Sequence, residues 1–380
     1  MTHTPSSLDE ASALLRTFAG NGRTVGITGG DVPRGPAAVP VDEVLSTREL
    51  DAIIDYVPAD QIVTVEAGMT LAKLQATLGE QRQRLALDPP MARRATVGGT
   101  VASASYGALR TRFGTAKDAI VGMTIVRADG TIARGGGKVV KNVAGFDIPK
   151  LMIGTYGTLA MIGTVTFRLH PLPESSCEVV FADCDAAALR GLCREMLAAQ
   201  LEPSAIYAIY AGGTYACAIR FEGFPQGVDS QRAALLTIAK REPCESGSLG
   251  EAHERARSSG SVQLKVSAPA SLLEELHAQA IAPLCAALEH PHAALYPSLG
   301  VGFIGGDVAA ESELRGRLEA ARAWAESTGG SLVVTEAPET LHRAIDRWGT
   351  PPPSFALMRS LKERFDPDRR LQPSGFVGGL

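Results

Sequence analysis

The first half of the chain mixes apolar residues at helical spacing with short runs in which apolar and polar residues alternate. The helical spacing predicts helices over residues 8–18, 47–56 and 70–78. The alternation predicts strands over residues 24–28, 62–66, 120–127 and 164–169. Asp129-Gly130 is typical of a hairpin turn, and a return strand is expected to begin at Ile132.

The second half repeats strand and helix patterns in two rounds. Helices are expected over residues 186–197, 230–239, 271–288, 311–327, 340–348 and 355–365. Strands are expected over residues 179–181, 206–210, 215–221, 300–304 and 331–335, and another is expected to start at Val262. Two such rounds indicate an α+β domain in the ferredoxin-like style, although the strand pairs cannot be fixed from one sequence. The prolines at 351–353 predict a stiff connector to the tail.

Composition limits the class of protein. The chain has 380 residues, 45% of them hydrophobic, which favours two or three globular domains. The net charge of −4 and the pI of about 6.0 give no reason to expect a nucleic-acid partner. We see no signal peptide, and no apolar run reaches the ~20 residues of an integral membrane segment. A cytoplasmic protein is expected.

Six cysteines stand at positions 177, 184, 193, 217, 244 and 285, and none forms a CxxC pair. This spacing argues against an iron–sulfur cluster in this chain and favours buried, reduced thiols. The pair His290 and His292 lies beside a proline and is interpreted as polar loop. No metal site is therefore predicted.

Residues 96–107, TVGGTVASASYG, form an uncharged segment of small residues. Gly98 and Gly99 permit close backbone approach, and the alanines and serines from 102 to 105 keep the surface thin. The segment suits a flat, extended ligand. Taken alone, it fits a tight glycine-rich turn at least as well.

Two other glycine-rich stretches do not match the known nucleotide-binding motifs. The turn at 28–31 could direct backbone N–H groups at an anion, but it lacks the GxGxxG spacing and Pro33 follows, so a Rossmann domain is disfavoured. Residues 135–138 end in Gly-Lys, yet Ile132 stands where a P-loop needs its first glycine. Val139 replaces the Ser or Thr that would bind magnesium, so an ATPase is disfavoured.

The motifs are specific as an ordered set, although each is weak alone. In chain order they are the turn at 28–31, the Pro89-Pro90 corner, TVGG, YG with arginine, KNVAGFD at 141–147 and GTYGTLAMI at 154–162. Over about residues 20–173 this order resembles the vanillyl-alcohol-oxidase, or p-cresol-methylhydroxylase, type of FAD-binding family. The resemblance implies a two-subdomain FAD-binding fold in residues 1–173 and an α+β, ferredoxin-like cap in 174–350. The tail, 351–380, would pack back on the FAD domain.

The resemblance also implies which residues contact FAD. The pyrophosphate turn would be Thr28, Gly29, Gly30 and Asp31. The flavin and ribityl wall would be Pro89, Pro90, Thr96, Val97, Gly98, Gly99, Ala102 and Ser103, continued by Tyr106, Gly107, Arg112 and Gly114. Gly157, Leu159 and Ile162 would lie near the adenosine, and Lys141 and Arg112 would place cations near the flavin, where they would favour the reduced anionic ring.

Two details refine the flavin prediction. Some family members attach the flavin through a histidine just before the glycine pair, whereas Arg93 and Arg94 stand in that region here. We therefore expect non-covalent FAD. Many related hydroxy-acid dehydrogenases carry an acidic residue where this chain has Tyr156.

Residues 329–379 extend the resemblance, because they are similar to the FAD-binding subunits of glycolate oxidase (glycolate dehydrogenase) complexes. Such complexes oxidise glycolate, a 2-hydroxy acid, to glyoxylate and pass the electrons to iron–sulfur centres. The implied partners are a larger flavin-containing catalytic subunit and an iron–sulfur subunit.

The sequence assigns no catalytic residue. It lacks the histidine-rich metal motif of the catalytic hydroxy-acid dehydrogenases, and His253, His277, His342 and Arg220 are not spaced as one site. The main hypothesis is an accessory subunit of an FAD-dependent oxidoreductase acting on CH–OH groups, which binds FAD, docks to its partners and relays electrons while the hydroxy-acid chemistry occurs mainly elsewhere in the complex. The alternative is a self-sufficient dehydrogenase of a small 2-hydroxy acid such as lactate. An NADPH-dependent cell-wall precursor reductase is weaker, since its catalytic residues cannot be found.

Overall fold

The computed structural model describes residues 1–30, 40–137, 147–240, 242–244 and 248–380, and Asp31 and Lys141 fall outside these ranges. In the described residues, the helices are α1 (Leu8–Gly20), α2 (Leu71–Glu80), α3 (Val97–Ala102), α4 (Arg110–Phe113), α5 (Ala116–Ala119), α6 (Ile148–Met152), α7 (Ala186–Ala198), α8 (Pro225–Ala239), α9 (Gly250–Ser258), α10 (Leu273–Leu276), α11 (Ala282–Ala286), α12 (Glu311–Ser327), α13 (Glu339–Ala344) and α14 (Phe355–Phe365). None of these helices has the length and apolar character needed to cross a bilayer.

The strands are β1 (Thr2–His3), β2 (Val25–Thr28), β3 (Glu43–Ser46), β4 (Ile53–Val57), β5 (Ile62–Glu66), β6 (Gln83–Arg84), β7 (Ile120–Arg127), β8 (Ile132–Gly136), β9 (Ala160–Arg168), β10 (His170–Pro171), β11 (Ser175–Cys184), β12 (Ala205–Ala211), β13 (Thr214–Gly223), β14 (Val262–Ser267), β15 (Leu288–Tyr296), β16 (Val301–Val308) and β17 (Ser331–Glu336). The mixture confirms the predicted α+β class.

Two sheets organise the part of the chain before residue 174. β1, β3 and β2 form a small parallel sheet, and β4-β5-β9-β7-β8 form an antiparallel sheet of five strands. The apolar side of α1, with Leu15 and Phe18, shares a core with Val25 of β2 and Leu45 of β3. The five-stranded sheet has its own core, which includes Val97 and Val101 of α3. Thus α3 is anchored by burial of its two valines.

Seven antiparallel strands form the second large sheet, in the order β11-β13-β12-β15-β16-β14-β17. The strands β14, β15, β16 and β17 follow the ferredoxin-like order, and β11, β12 and β13 supply three strands of a second such unit. The two units join where β12 pairs with β15. The strand order confirms the ferredoxin-like prediction and fixes the strand partners that the sequence left open.

The two faces of this sheet are chemically different. Val262, Leu264 and Val266 of β14 are buried with Leu314 and Leu318 of α12. On the opposite face, aromatic side chains of the sheet pack against α9 and the turn at 106–109. The alternation in β14 therefore sends its polar residues towards the N-terminal part of the chain.

Several sequence predictions of secondary structure were wrong. Residues 47–56 are not a helix: the N–H of Leu50 closes a turn on the carbonyl of Thr47, and β4 then pairs with β5. The helix over 271–288 is broken into 3-10, α and π turns before β15 begins. The helix over 340–348 ends at Ala344. His290 and His292 lie in β15 at a bulge opposite β16, not in a loop.

The tail returns to the small parallel sheet. The carbonyl of Arg370 accepts the N–H of Val25 at 2.8 Å, and the side-chain amide of Gln372 donates to the carbonyl of Ile27 at 2.8 Å. A division of the chain at 173/174 and 350/351 stays a prediction.

One buried cation holds the tail in place. Lys362 and Asp366 are each 1% exposed, and their charged atoms lie 2.7 Å apart. The Lys362 ammonium also donates to the carbonyls of Thr158, at 2.7 Å, and Leu371, at 2.9 Å. Burial lowers the pKa of Lys362, and the neighbouring Asp366 opposes that shift.

We expect Lys362→Met to lower the free energy of unfolding by about 3–5 kcal/mol, because it leaves the Asp366 carboxylate buried without its cation. Chemical denaturation measures the change. Arg364→Met is the matched control, since Arg364 is an exposed cation on the same helix and its loss should cost less than ~0.5 kcal/mol. Equal, small losses in both variants would contradict this account of the tail.

Candidate cofactor site

Helix α3 lies in the crevice between the two N-terminal sheets. The hydroxyl of Thr96 caps it by accepting the N–H of Gly99 at 3.1 Å. The N–H of Val97 bonds to the carbonyl of Met69 at 2.8 Å, and the N–H of Gly98 bonds to the carbonyl of Ala67 at 2.7 Å. Since these amides already have protein partners, α3 contributes a surface to a ligand and not a ring of free donors.

Gly98 has a packing reason to be glycine. A Cβ at this position would lie 2.8 Å from the Cβ of Ala67 and 3.0 Å from its carbonyl oxygen. No side chain fits in that gap, so the glycine sets how deeply α3 sits against the chain after β5.

A groove with two compartments runs along α3. The cavity volume is about 210 Å³ in the larger compartment and about 20 Å³ in the smaller. Both are lined by Gly99 and Ala102, so the two compartments meet at α3. The smaller compartment extends past Thr28 and Gly157. The combined shape is long and thin-walled, as a dinucleotide requires.

Residues of the seven-stranded sheet form the opposite wall of the larger compartment. Gln263 and Lys265 come from β14, and Phe303 comes from β16 directly beside Lys265. The Lys265 ammonium lies 4.5 Å from the centre of the Tyr106 ring, and the Arg110 guanidinium carbon lies 4.2 Å from the same centre. Two cations therefore hold Tyr106 in place by cation–π attraction.

The larger compartment is positively charged. Among the residues that the structure describes, Arg257, Lys265 and Arg347 line it together with one carboxylate, that of Glu336. Burial lowers the pKa of Arg347, and the neighbouring Tyr156 and Glu336 oppose the shift. An arginine keeps its proton in any case. The compartment therefore favours an anionic ligand or a ligand whose reduced form is anionic.

Tyr156, which lines this compartment, belongs to an aromatic cluster. The centre of the Tyr156 ring is 4.8 Å from that of Trp348, and the Trp348 ring is 5.0 Å from that of Phe376. Tyr156 has a φ of 54°, in the left-handed region. Tyr156 thus packs against Trp348 and against Phe376 of the tail.

The structure brings most of the predicted cofactor residues to this groove. The larger compartment includes Gly30, Pro89, Pro90, Thr96, Gly99, Ala102, Ser103 and Tyr106. The smaller compartment includes Thr28, Gly29, Gly98, Gly99, Ala102, Gly157 and Ile162. Asp31 and Lys141 were also predicted here and lie outside the described residues.

Five predicted residues lie away from the groove. Val97 and Leu159 are buried in the core of the five-stranded sheet. Gly107 lies against Asp88, where a Cβ would come within 2.1 Å of the Asp88 carbonyl oxygen, and Gly114 packs on Asp118.

The fifth is Arg112, which was expected near the flavin. Its guanidinium contacts the carboxylate of Glu202 at 3.1 Å and the Glu202 carbonyl oxygen at 2.9 Å. This ion pair directs the side chain to a partner outside the groove, on the loop before β12.

The polar residues that sequence analysis weighed for catalysis are not brought together. His253 contacts the hydroxyl of Tyr296 at 2.9 Å, and burial lowers its pKa to about 2, so it is neutral. His277 contacts Tyr215, and Arg220 pairs with Glu178. None of these residues, nor His342, lines either compartment.

Sequence analysis missed the sheet side of the site: Arg257, Gln263, Lys265, Phe303, Thr335, Glu336 and Arg347. One signal was available. In the strand VQLKVS, Gln263 and Lys265 alternate with buried aliphatic residues, so a strand with one apolar face presents a cation on the other.

The groove fits FAD. Small residues on α3 and the Pro89-Pro90 corner allow a flat ring and its chain to lie close to the backbone, and lysine and arginine side chains stand on the other wall. When bound, FAD would rest on Gly99, Ala102 and Ser103 and would reach Thr28 and Gly157 at its far end.

Asp88 is a buried carboxyl group at the edge of the site. Its carboxylate accepts the N–H of Leu109 at 3.2 Å. Burial raises its pKa to about 6, although the nearby Arg257 opposes the rise. The native state therefore favours protonated Asp88, and that contribution to stability is present below pH 4 and is lost as the pH rises through 6.

We expect the free energy of unfolding of the wild type to fall, relative to Asp88→Asn, by about 2 kcal/mol between pH 4 and pH 7. Urea denaturation across this range measures the difference. Asp60→Asn, at an exposed aspartate, should track the wild type. Parallel pH profiles for wild type and Asp88→Asn would show that Asp88 titrates normally.

Comparison with known proteins agrees with this geometry. An FAD binding domain family matches residues 1–136. Glycolate oxidase subunit GlcE of Escherichia coli (strain K12) is 34% identical over 135 residues, 35% of this chain and 39% of that protein. D-lactate dehydrogenase of Archaeoglobus fulgidus is 36% identical over 171 residues, 44% of this chain and 38% of that protein. The matches thus span about two fifths of these curated relatives.

The fold is shared over nearly the whole chain. Alkyldihydroxyacetonephosphate synthase superposes with a TM-score of 0.74 at 16% identity, covering 98% of this chain and 76% of that chain. At this identity the likeness concerns the fold alone. The FAD binding domain matched over residues 1–136 supports FAD as the cofactor of this chain.

Proposed function

We propose that this chain is the FAD-binding subunit of a glycolate oxidase type of complex and supports oxidation of glycolate to glyoxylate. The observation that carries the proposal is the cationic wall opposite α3, where Lys265 and Arg347 face the place assigned to the flavin. A small 2-hydroxy acid is an anion, and such a wall attracts its carboxylate. Glycolate oxidase subunits GlcE of Escherichia coli and GlcD of Bacillus subtilis are relatives whose names support the substrate class.

The chain's own residues would orient the acid. Bound FAD would supply the two-electron oxidising chemistry for the carbon that carries the hydroxyl group. Lys265 and Arg347 would hold the carboxylate, so that this carbon faces the flavin wall. The hydroxyl proton would go to Glu336, which is the carboxylate among the lining residues.

The electrons would leave through partner subunits. The six cysteines include no CxxC pair, so the iron–sulfur centres of the proposed complex would belong to another chain. A larger flavin-containing catalytic subunit and an iron–sulfur subunit are the proposed partners. Peripheral contact with a membrane would be made through them.

A second candidate is a self-sufficient FAD-dependent dehydrogenase of a small 2-hydroxy acid such as lactate. The similarity to D-lactate dehydrogenase of Archaeoglobus fulgidus favours it. So does a cationic compartment built entirely from this chain's side chains.

We expect the purified chain to show flavin absorption bands and to release all of its FAD on acid precipitation, because Arg93 and Arg94 replace the histidine of covalent members. Flavin that stays with the precipitate would contradict the non-covalent prediction. Anaerobic addition of glycolate or D-lactate then separates the two candidates. Bleaching of the isolated chain supports the self-sufficient dehydrogenase, whereas bleaching that requires the partner subunits supports the complex.

We expect Lys265→Met to weaken binding of oxalate, an unreactive carboxylate probe, by about 10- to 100-fold, the value of one charged hydrogen bond. The change in the flavin absorption spectrum on adding oxalate gives the dissociation constant without any turnover. Lys240→Met, at an exposed lysine after α8, is the control and should bind oxalate as the wild type does. Unchanged affinity in Lys265→Met would remove Lys265 from the acid site.

A further inference from the structure

Helix α9 is hydrogen-bonded to the chain on both sides of the Pro89–Pro90 corner, where the flavin wall begins. The Glu254 carboxylate accepts the N–H of Met91 at 2.6 Å and pairs with the Arg257 guanidinium at 2.7 Å. Arg257 donates in turn to the carbonyl of Asp88 at 3.0 Å. We call Glu254 and Arg257 the α9 clamp. It holds the chain immediately before and after Pro89 and Pro90.

The Pro89–Pro90 corner leads directly into α3. The carbonyl of Met91 accepts the N–H of Arg94 at 2.8 Å and that of Ala95 at 2.9 Å. Thr96, the cap of α3, follows at once. Met91 itself has a φ of 55°, a left-handed conformation that a non-glycine residue adopts only when its surroundings hold it. Its hydrogen bond to Glu254 is one such restraint.

The other end of the clamp is fixed to the seven-stranded sheet. Ala256 of α9 is buried together with Tyr207 of β12 and Tyr296 of β15. His253, on the same helix, contacts the Tyr296 hydroxyl and stacks against the Tyr207 ring, with centroids 4.3 Å apart. Because α9 packs on the seven-stranded sheet, the α9 clamp connects the sheet wall of the groove to the flavin wall.

The clamp also lies at the site itself. Pro89, Pro90, Met91 and Arg257 all line the larger compartment. The Arg257 side chain is 5% exposed, and the Glu254 carboxylate and the Asp88 carbonyl are the partners of its terminal nitrogens. A buried guanidinium held at two points has little freedom, so the corner cannot shift without breaking a charged hydrogen bond.

We propose that Glu254 and Arg257 are positioning residues that set the separation between the Pro89–Met91 corner and the seven-stranded sheet, and with it the affinity and environment of FAD. The inference rests on the proposed placement of FAD along α3. It is independent of the 2-hydroxy acid, so it can fail or hold whatever the substrate proves to be.

The test measures FAD binding to the full chain after removal of bound flavin, together with the visible spectrum at saturating FAD. Glu254→Ala should weaken FAD binding at least about ten-fold, because it removes both the acceptor of the Met91 N–H and the partner of Arg257. Glu254→Gln keeps an acceptor for Met91 and should fall between wild type and Glu254→Ala. Arg257→Lys keeps the charge but cannot span both partners, so it should also be intermediate.

Glu251→Ala is the matched control, since Glu251 is an exposed carboxylate on the same helix. It should leave both the dissociation constant and the spectrum unchanged. A purely structural role would lower the free energy of unfolding of the apo-protein yet leave the spectrum of the FAD-saturated protein unchanged.

The proposal is overturned if Glu254→Gln and Arg257→Lys, which keep the site filled and polar, bind FAD with wild-type affinity and spectrum. That conclusion holds even if Glu254→Ala fails to fold. A wild-type chain that binds no FAD would overturn both the placement of the cofactor and the clamp.

Discussion

The cofactor groove depends on how closely the backbone of α3 approaches the chain after β5. The Gly98 N–H reaches the Ala67 carbonyl at 2.7 Å, and a Cβ on Gly98 would clash with the Ala67 side chain at 2.8 Å. Because α3 is a wall of both compartments, a side chain at Gly98 would push this wall into the space assigned to FAD. The same contact buries Val97 and Val101 in the core of the five-stranded sheet. Stability and cofactor binding therefore rest on one short helix.

The seven-stranded sheet forms the second wall of the groove. One of its faces is buried against helices, and part of the other face lines the groove. Aliphatic side chains on one face pack against helices and form the largest core of the chain's second half. The other face has a part that is covered by protein and a part that lines the groove. Part of it is covered by α9 and the turn at 106–109, and the strands β14, β16 and β17 are left to face the flavin wall. A cation on this open face, Lys265, is consequently held against Tyr106 and the groove without being part of the core.

The sequence predicted those features of the fold that depend on residues close to one another in the chain. The ordered glycine and proline motifs carried a family resemblance, and most of the residues that this resemblance implied as cofactor contacts line the groove. The helix expected over 47–56 was wrong because β4 is stabilised by pairing with β5, a contact that periodicity within a window cannot show. Arg112 was expected near the flavin but pairs with Glu202, and Lys265 and Arg347 were missed. These three depend on how the sheet packs against the N-terminal part of the chain, which one sequence does not reveal.

The central claim is that FAD lies along α3 with its ring between the flavin wall and the seven-stranded sheet. A crystal structure of the FAD-loaded chain tests this most directly. The account predicts the dinucleotide in contact with Gly99 and Ala102, with its adenosine end towards Gly157 and its flavin ring facing Lys265. FAD bound elsewhere on the molecule, or a flavin ring that contacts no residue of β14, β16 or β17, would contradict it.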